Sequence, residues 1–205
     1  MIEKYYNGVI EQVAGGIGNV EHNSILVRYS NDFSIWDLES VNHYKDQSDI
    51  FFTCHEFSYN KIAEAYEPYL GLIRQMFHRY CSGTLEEFME ECDVYKLQRP
   101  VFESYFEKGF CERTEQILID EVEYEQERMC NSIVTMLQKL SEIRPVVIVL
   151  NRFQLASKST MQLTNSLLQV KNKNIGIVLG VNDVQSIPEF AHEEWDAICE
   201  SMDDR

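Results

Sequence analysis

Two unbroken apolar runs constrain this chain more than any other feature: Val146-Val-Ile-Val-Leu150, and Ile175 to Val181, interrupted only by glycines. A strand with one wet face alternates apolar and polar side chains, whereas a run apolar on both faces has to be covered on both. Both runs stop on polar residues, Asn151-Arg152 and Asn182-Asp183. They predict buried parallel strands whose polar tips lie at one rim of a sheet.

Helical and strand patterns alternate around them. Ile2 to Ala14 repeats at helical spacing, with Tyr6, Ile10 and Val13 on one face, and runs into the turn Ala14-Gly-Gly-Ile-Gly-Asn19. Ser24 to Ser30 reads as a short strand, Asn31 to Ser34 as a turn, Asp37 to Lys45 as a short helix and Asp49 to Phe57 as a second strand. From Ala63 to Tyr80 a proline opens a helix in its first turn, and Leu72, Met76 and Tyr80 recur at spacing four. Residues 82–116 are an irregular insert cut into short helices by Gly83 and Pro100. A long helix follows from Glu112 to Ile143, with Leu118, Val122, Met129, Ile133, Leu137 and Leu140 as its buried stripe. Ser159 to Lys171 and the tail from Glu193 to Asp204 complete the helices. The fold class is therefore α/β: a three-layer, mostly parallel sheet of about four strands with helices on both faces, in one domain spanning residues 1–205.

Composition narrows the partners. Asp and Glu number 34 against 18 Lys and Arg, a formal charge of −16, which disfavours a nucleic-acid backbone or an anionic membrane. No apolar stretch approaches the roughly 18 residues of a membrane span. The first residues, MIEKYYNGVIEQ, are unlike a secretion signal, and six scattered cysteines without a CxxC pair read as reduced thiols. A cytoplasmic protein is expected.

Ligands of open parallel sheets lie at the carboxyl ends of the strands. The segments after Ser30, Leu150 and Val181 are thus the candidate site. Several phrases there resemble the STAND-class, AAA-related P-loop ATPases found beside bacterial cyclases and large transcriptional activators. "FFTCHEFSYNKIAEAYEPYLGLIRQMF" is similar to their second strand and following helix, "RPVVIVLNRFQLASKSTMQLTNSLLQ" to their Walker B strand and helix, and "NIGIVLGVND" to their sensor strand. The resemblance covers about Tyr5 to Trp195. It implies a P-loop-type sheet and a nucleotide pocket at Asn31, Asp32, Ser34, Asn151, Arg152 and Asn182.

The chain departs from that pattern in two places. The family's loop after the first strand is G-x-x-x-x-G-K followed by Ser or Thr; between Gly18 and Lys45 this chain has neither glycine nor lysine. Glycines let successive N–H groups curl around phosphate and the lysine neutralises it. Phe33, Ile35 and Trp36 would fill that concavity, and Asp32 and Asp37 would repel a polyphosphate. Where the family carries acids for magnesium, this chain has Asn151 and Arg152. No catalytic residue, no metal ligand and no cofactor is therefore expected, and the vestigial positions imply an architecture kept after hydrolysis was lost.

Other features have plain readings. The glycine turn before the first strand is in the wrong context for a phosphate loop. Arg152 is either an anion contact or a salt-bridged strand end, and Asn182-Asp183 either a sensor pair or turn chemistry. His78 and Cys81 lack the partners of a zinc site. The acids Glu112, Glu115, Asp120, Glu121, Glu123, Glu125 and Glu127 suit a solvated helix start.

The expected function is a non-catalytic regulatory or interaction domain, a switch or scaffold acting through a protein partner or a linked output domain. The alternatives are ATP or GTP binding without turnover at Asn151, Arg152 and Asn182, and an NTPase whose cation comes from another subunit or from Lys158. The family has a fifth strand and a helical lid, while this chain stops soon after its fourth strand. A fragment of a longer polypeptide is expected, or a unit that self-associates along an exposed edge.

Overall fold

The computed structural model describes residues 2–18, 23–30, 33–45, 49–61, 63–109, 122–184 and 186–204. Helix α1 (Ile2–Gly15) leads to strand β1 (Ser24–Tyr29). A 3-10 turn at Ile35–Asp37 precedes α2 (Glu39–Lys45) and β2 (Phe51–Glu56). Four helices follow: α3 (Tyr69–Tyr80), α4 (Leu85–Glu91), α5 (Arg99–Lys108) and α6 (Val122–Ile143). The chain then forms β3 (Val146–Asn151), α7 (Lys158–Val170), β4 (Ile175–Asn182), α8 (His192–Ser201) and the two-residue β5 (Asp203–Asp204).

The sheet order is β2-β3-β4-β1-β5, with every pairing parallel. Alternation along β3 shows why its sequence is uniformly apolar. Val146, Ile148 and Leu150 pack with the helices from α3 to α8, while Val147 and Val149 pack with α1 and α2. All five are fully buried, each contributing about 1.5–3 kcal/mol of transfer free energy. The predicted three-layer α/β class is the one observed, with four full strands. A fifth strand, expected to be missing, is present as the two residues Asp203–Asp204 beside Ile25 and Leu26. Two residues carry no periodicity, and the tail therefore read as helix to its end.

Helices begin and end where local chemistry allows. Thr84 and Glu87 close α4 with a reciprocal capping box. Ser157 caps α7 by accepting from Thr160 N–H at 3.2 Å. Gly109 ends α5 in the left-handed region, φ 81°. Pro68 does not sit inside the first turn of α3 but immediately before it, and Tyr66 has φ 61°, so the helix starts later than its apolar pattern. In the region of the expected insert, α4 and α5 bury Phe88, Met89, Phe102 and Phe106 in the same cluster as α3 and α6. The stripe of α6 is seen in Met129, Ile133, Leu137 and Leu140; Leu118 and the acids from Glu112 to Glu121 lie outside the described residues. Among the described residues no helix is long and apolar enough to cross a membrane.

α1 lies close on β4 because that face carries Gly176, Val178 and Gly180. A Cβ on Gly176 would meet Val13 Cγ1, and one on Gly180 would run into the Tyr6 hydroxyl and Asn151 Oδ1. Gly180→Ala should destabilise the protein by about 1–3 kcal/mol through overpacking. Gly8→Ala, in a helix interior with open space around it, should stabilise by up to about 1 kcal/mol. Urea unfolding of both variants reads the difference, and an unchanged midpoint for Gly180→Ala would contradict the close approach.

Candidate functional site at the strand tips

β1 crosses over β4 and β3 by way of α2 to reach β2, whereas β4 reaches β5 by way of α8 on the opposite face. The chain therefore leaves adjacent β1 and β4 on opposite sides, which opens a crevice at their carboxyl ends. Register brings Asn182 beside Tyr29 there, and Asn151 beside Glu56 one strand further on.

The crevice is closed by the chain's own groups. Asn151, fully buried, accepts the Tyr29 hydroxyl on Oδ1 at 2.8 Å and donates from Nδ2 to Glu56 Oε1 at 3.3 Å. Arg152 Nη1 lies 3.2 Å from the same Glu56 oxygen, and its guanidinium stands 5.4 Å over the Tyr59 ring. Ser34 donates its hydroxyl to Glu56 Oε2 at 3.2 Å. Arg152 holds φ 54°, a left-handed conformation that costs a non-glycine residue about 1–2 kcal/mol. That backbone bend turns the side chain back onto Glu56. Phe33 stacks edge-on against Tyr6 and Tyr29, with centroids 5.2 and 4.9 Å apart.

The expected site residues thus divide. Ser34, Asn151 and Arg152 converge, but on Glu56. Asn182 instead makes turn chemistry: its Oδ1 accepts Val184 N–H at 3.0 Å, and its own N–H is donated to Gln154 Oε1 at 3.3 Å. Asn31 and Asp32 lie outside the described residues. Of the three bulky residues expected in the concavity, Phe33 packs there and Ile35 is buried with α1 and α2. Trp36 turns outward instead, 46% exposed under Lys45, because the 3-10 turn that Ser34 caps rotates it to the surface. Lys158 is held away from the tips, 3.3 Å from Glu194 Oε1.

Glu56 escaped the sequence reading because it sat inside an apolar strand phrase. Only the sheet reveals that β2 and β3 are equal in length and in a register that sets their last residues side by side. Tyr6, which read only as part of a helix face, is also at the site. Its hydroxyl is buried with no hydrogen-bond partner among the described residues, and burial, with Tyr29 and Glu56 nearby, pushes its pKa well above the ordinary tyrosine value.

Magnesium triphosphate does not fit these residues. The arginine is paired with a carboxylate, the hydroxyl donates to that carboxylate, and Phe33 occupies the ground beyond the carboxyl end of β1. Among the described residues no three His, Cys, Asp or Glu side chains converge. The thiols are poor nucleophiles: burial pushes Cys54 and Cys130 up to about 11 and Cys92 up to about 12. Comparison with protein-family models, curated proteins and solved structures finds no match for this chain. The fold and the tips define a parallel α/β domain whose ligand crevice is filled from within.

Two outcomes follow. Asn151→Asp places a second carboxylate against Glu56 and should cost about 2–3 kcal/mol at neutral pH. A proton shared by the pair restores the lost hydrogen bond, so the folded variant binds more protons than the unfolded one. The deficit should therefore shrink as the pH falls toward 4, read by urea midpoints against the parent (about one proton's linkage). On the alkaline side, the raised thiols keep protons that the unfolded chain releases above 9.0. Stability should thus fall as pH rises from 9.0 through about 12. A midpoint that rises over that range would contradict the burial of these thiols.

Proposed function

We propose that this chain is a P-loop-type domain of the STAND kind that has lost phosphoryl transfer and works as a cytoplasmic regulatory or interaction module. The carrying observation is the closed network at the strand tips. Glu56 engages the serine, the asparagine and the arginine that stand where a nucleotide pocket would need a hydroxyl, a metal-binding acid and a free cation. A domain whose crevice is filled by its own side chains transmits through its surfaces. Its partner is then another protein or a linked output domain. The five described cysteines are free, in keeping with a reducing compartment.

Calorimetry with ATP and with GTP, each with and without magnesium, tests the reading. Titration to millimolar nucleotide should give no binding heat, and a phosphate-release assay should stay at background. Heat without release would replace the reading by nucleotide binding without turnover. Magnesium-dependent release, lost in Asn151→Ala and Arg152→Ala, would replace it by an active NTPase.

A further inference from the structure

β2 is the last strand on its side of the sheet, and among the described residues no strand pairs with its outer edge. Phe51 donates its N–H inward to Pro145 O at 2.7 Å, and Phe57 donates to Asn151 O at 3.1 Å. Strand geometry alternates, so Thr53 and His55 face inward too. Phe52, Cys54 and Glu56 direct their N–H and C=O groups outward.

That outer edge is the floor of a groove of about 760 Å³, with Ile50 to Cys54 contributing five consecutive lining residues. Trp36 and Lys45 form one wall; Arg74, His78 and Arg79 of α3 form the other. Among the described residues that line it, three side chains are cations and none is a carboxylate, in a chain with 34 acids and 18 bases. Among the described residues none of the three pairs with an acid. Lys45 rests 5.0 Å over the Trp36 ring, Arg79 rests 5.4 Å over Tyr80, and Arg74 donates Nε to Phe106 O at 2.8 Å. A row of outward main-chain groups between two basic walls is the arrangement that strand addition uses, the main chain giving affinity and the walls selecting side chains.

We propose that this groove binds an extended acidic segment of a partner protein, which adds to the sheet as a parallel or antiparallel strand beside β2. Charge complementarity selects this occupant over a second copy of the chain, which would set one basic groove against another. The overall charge of −16 repels such a segment from afar. Salt at about 0.1 M screens beyond roughly 10 Å, which leaves the nearer walls in control. The proposal is independent of whether the strand tips bind nucleotide.

The test uses the whole chain, isotope-labelled, in about 0.1 M salt. The probe is a capped synthetic peptide of alternating glutamate and valine, with a lysine–valine peptide of equal length as control. At a glutamate-peptide concentration ten times its Kd, amide exchange at Phe52, Cys54 and Glu56 should slow about tenfold, because only the free fraction exchanges. Thr53 and His55 should not change, nor should any of the five respond to the lysine peptide. Lys45→Glu combined with Arg79→Glu, both at exposed positions, should lose the binding with an unchanged melting temperature. Cys54→Pro removes one outward donor and should weaken binding, a result independent of charge; if that variant fails to fold, the charge variant decides. Absence of binding would overturn the proposal, as would equal binding of both peptides. Outward amides already protected without peptide would also overturn it: protection that grows with protein concentration would assign the edge to a second copy, and constant protection to the chain's own covering.

Discussion

The Glu56 carboxylate organises the tips of three segments. Its side chain is only 10% exposed, and a carboxylate so placed costs several kcal/mol unless charge and hydrogen bonds compensate it. Compensation comes from the arginine after β3, the amide at the end of β3 and the hydroxyl after β1. Once Nδ2 of Asn151 faces Glu56, its Oδ1 faces the other way and receives the Tyr29 hydroxyl. The rings of Tyr29 and Tyr6 then form the seat for Phe33. A single partly buried charge thus orients a polar chain and an aromatic cluster that together take the volume of a crevice.

The same geometry explains why β3 ends in an amide followed by a guanidinium. A carboxylate at Asn151 would face Glu56 across one hydrogen bond, with one arginine between two charges. An amide can donate to the acid on one side and accept from the phenol on the other, and the arginine supplies the countercharge. In physical terms, the acid of this rim stands at the end of β2, and the groups at the end of β3 and after β1 are turned toward it. The left-handed backbone of Arg152 carries a cost that the ion pair offsets.

The sheet's two edges are treated differently. Beyond β1 a two-residue strand covers the edge, and α8 packs over it with Trp195 beside Arg28, 5.7 Å from its ring centroid. Beyond β2 the main chain faces a groove with basic walls. Lysine and arginine beside an open edge discourage indiscriminate pairing of chains. In a molecule with this much negative charge, they also make the edge the place where an acidic segment is locally favoured.

The parallel three-layer architecture was legible from residues 146–150 and 175–181, because complete burial on both faces leaves no place for a polar side chain and so writes itself into composition. The helical stripes were legible for the same reason, and the turn role of Asn182 was one of two readings its position allowed. The partner of Asn151 was not legible. Residues 56 and 151 lie 95 positions apart, and nothing local to either says that parallel register makes them neighbours. The outward turn of Trp36 and the short final strand also depended on contacts outside their own segments. Sequence alone determined which residues had to be hidden from water, since hydrophobic burial is a property of each side chain. Only the tertiary structure decided which polar groups met at the rim, since hydrogen bonds and ion pairs need distance and direction that a linear order does not carry.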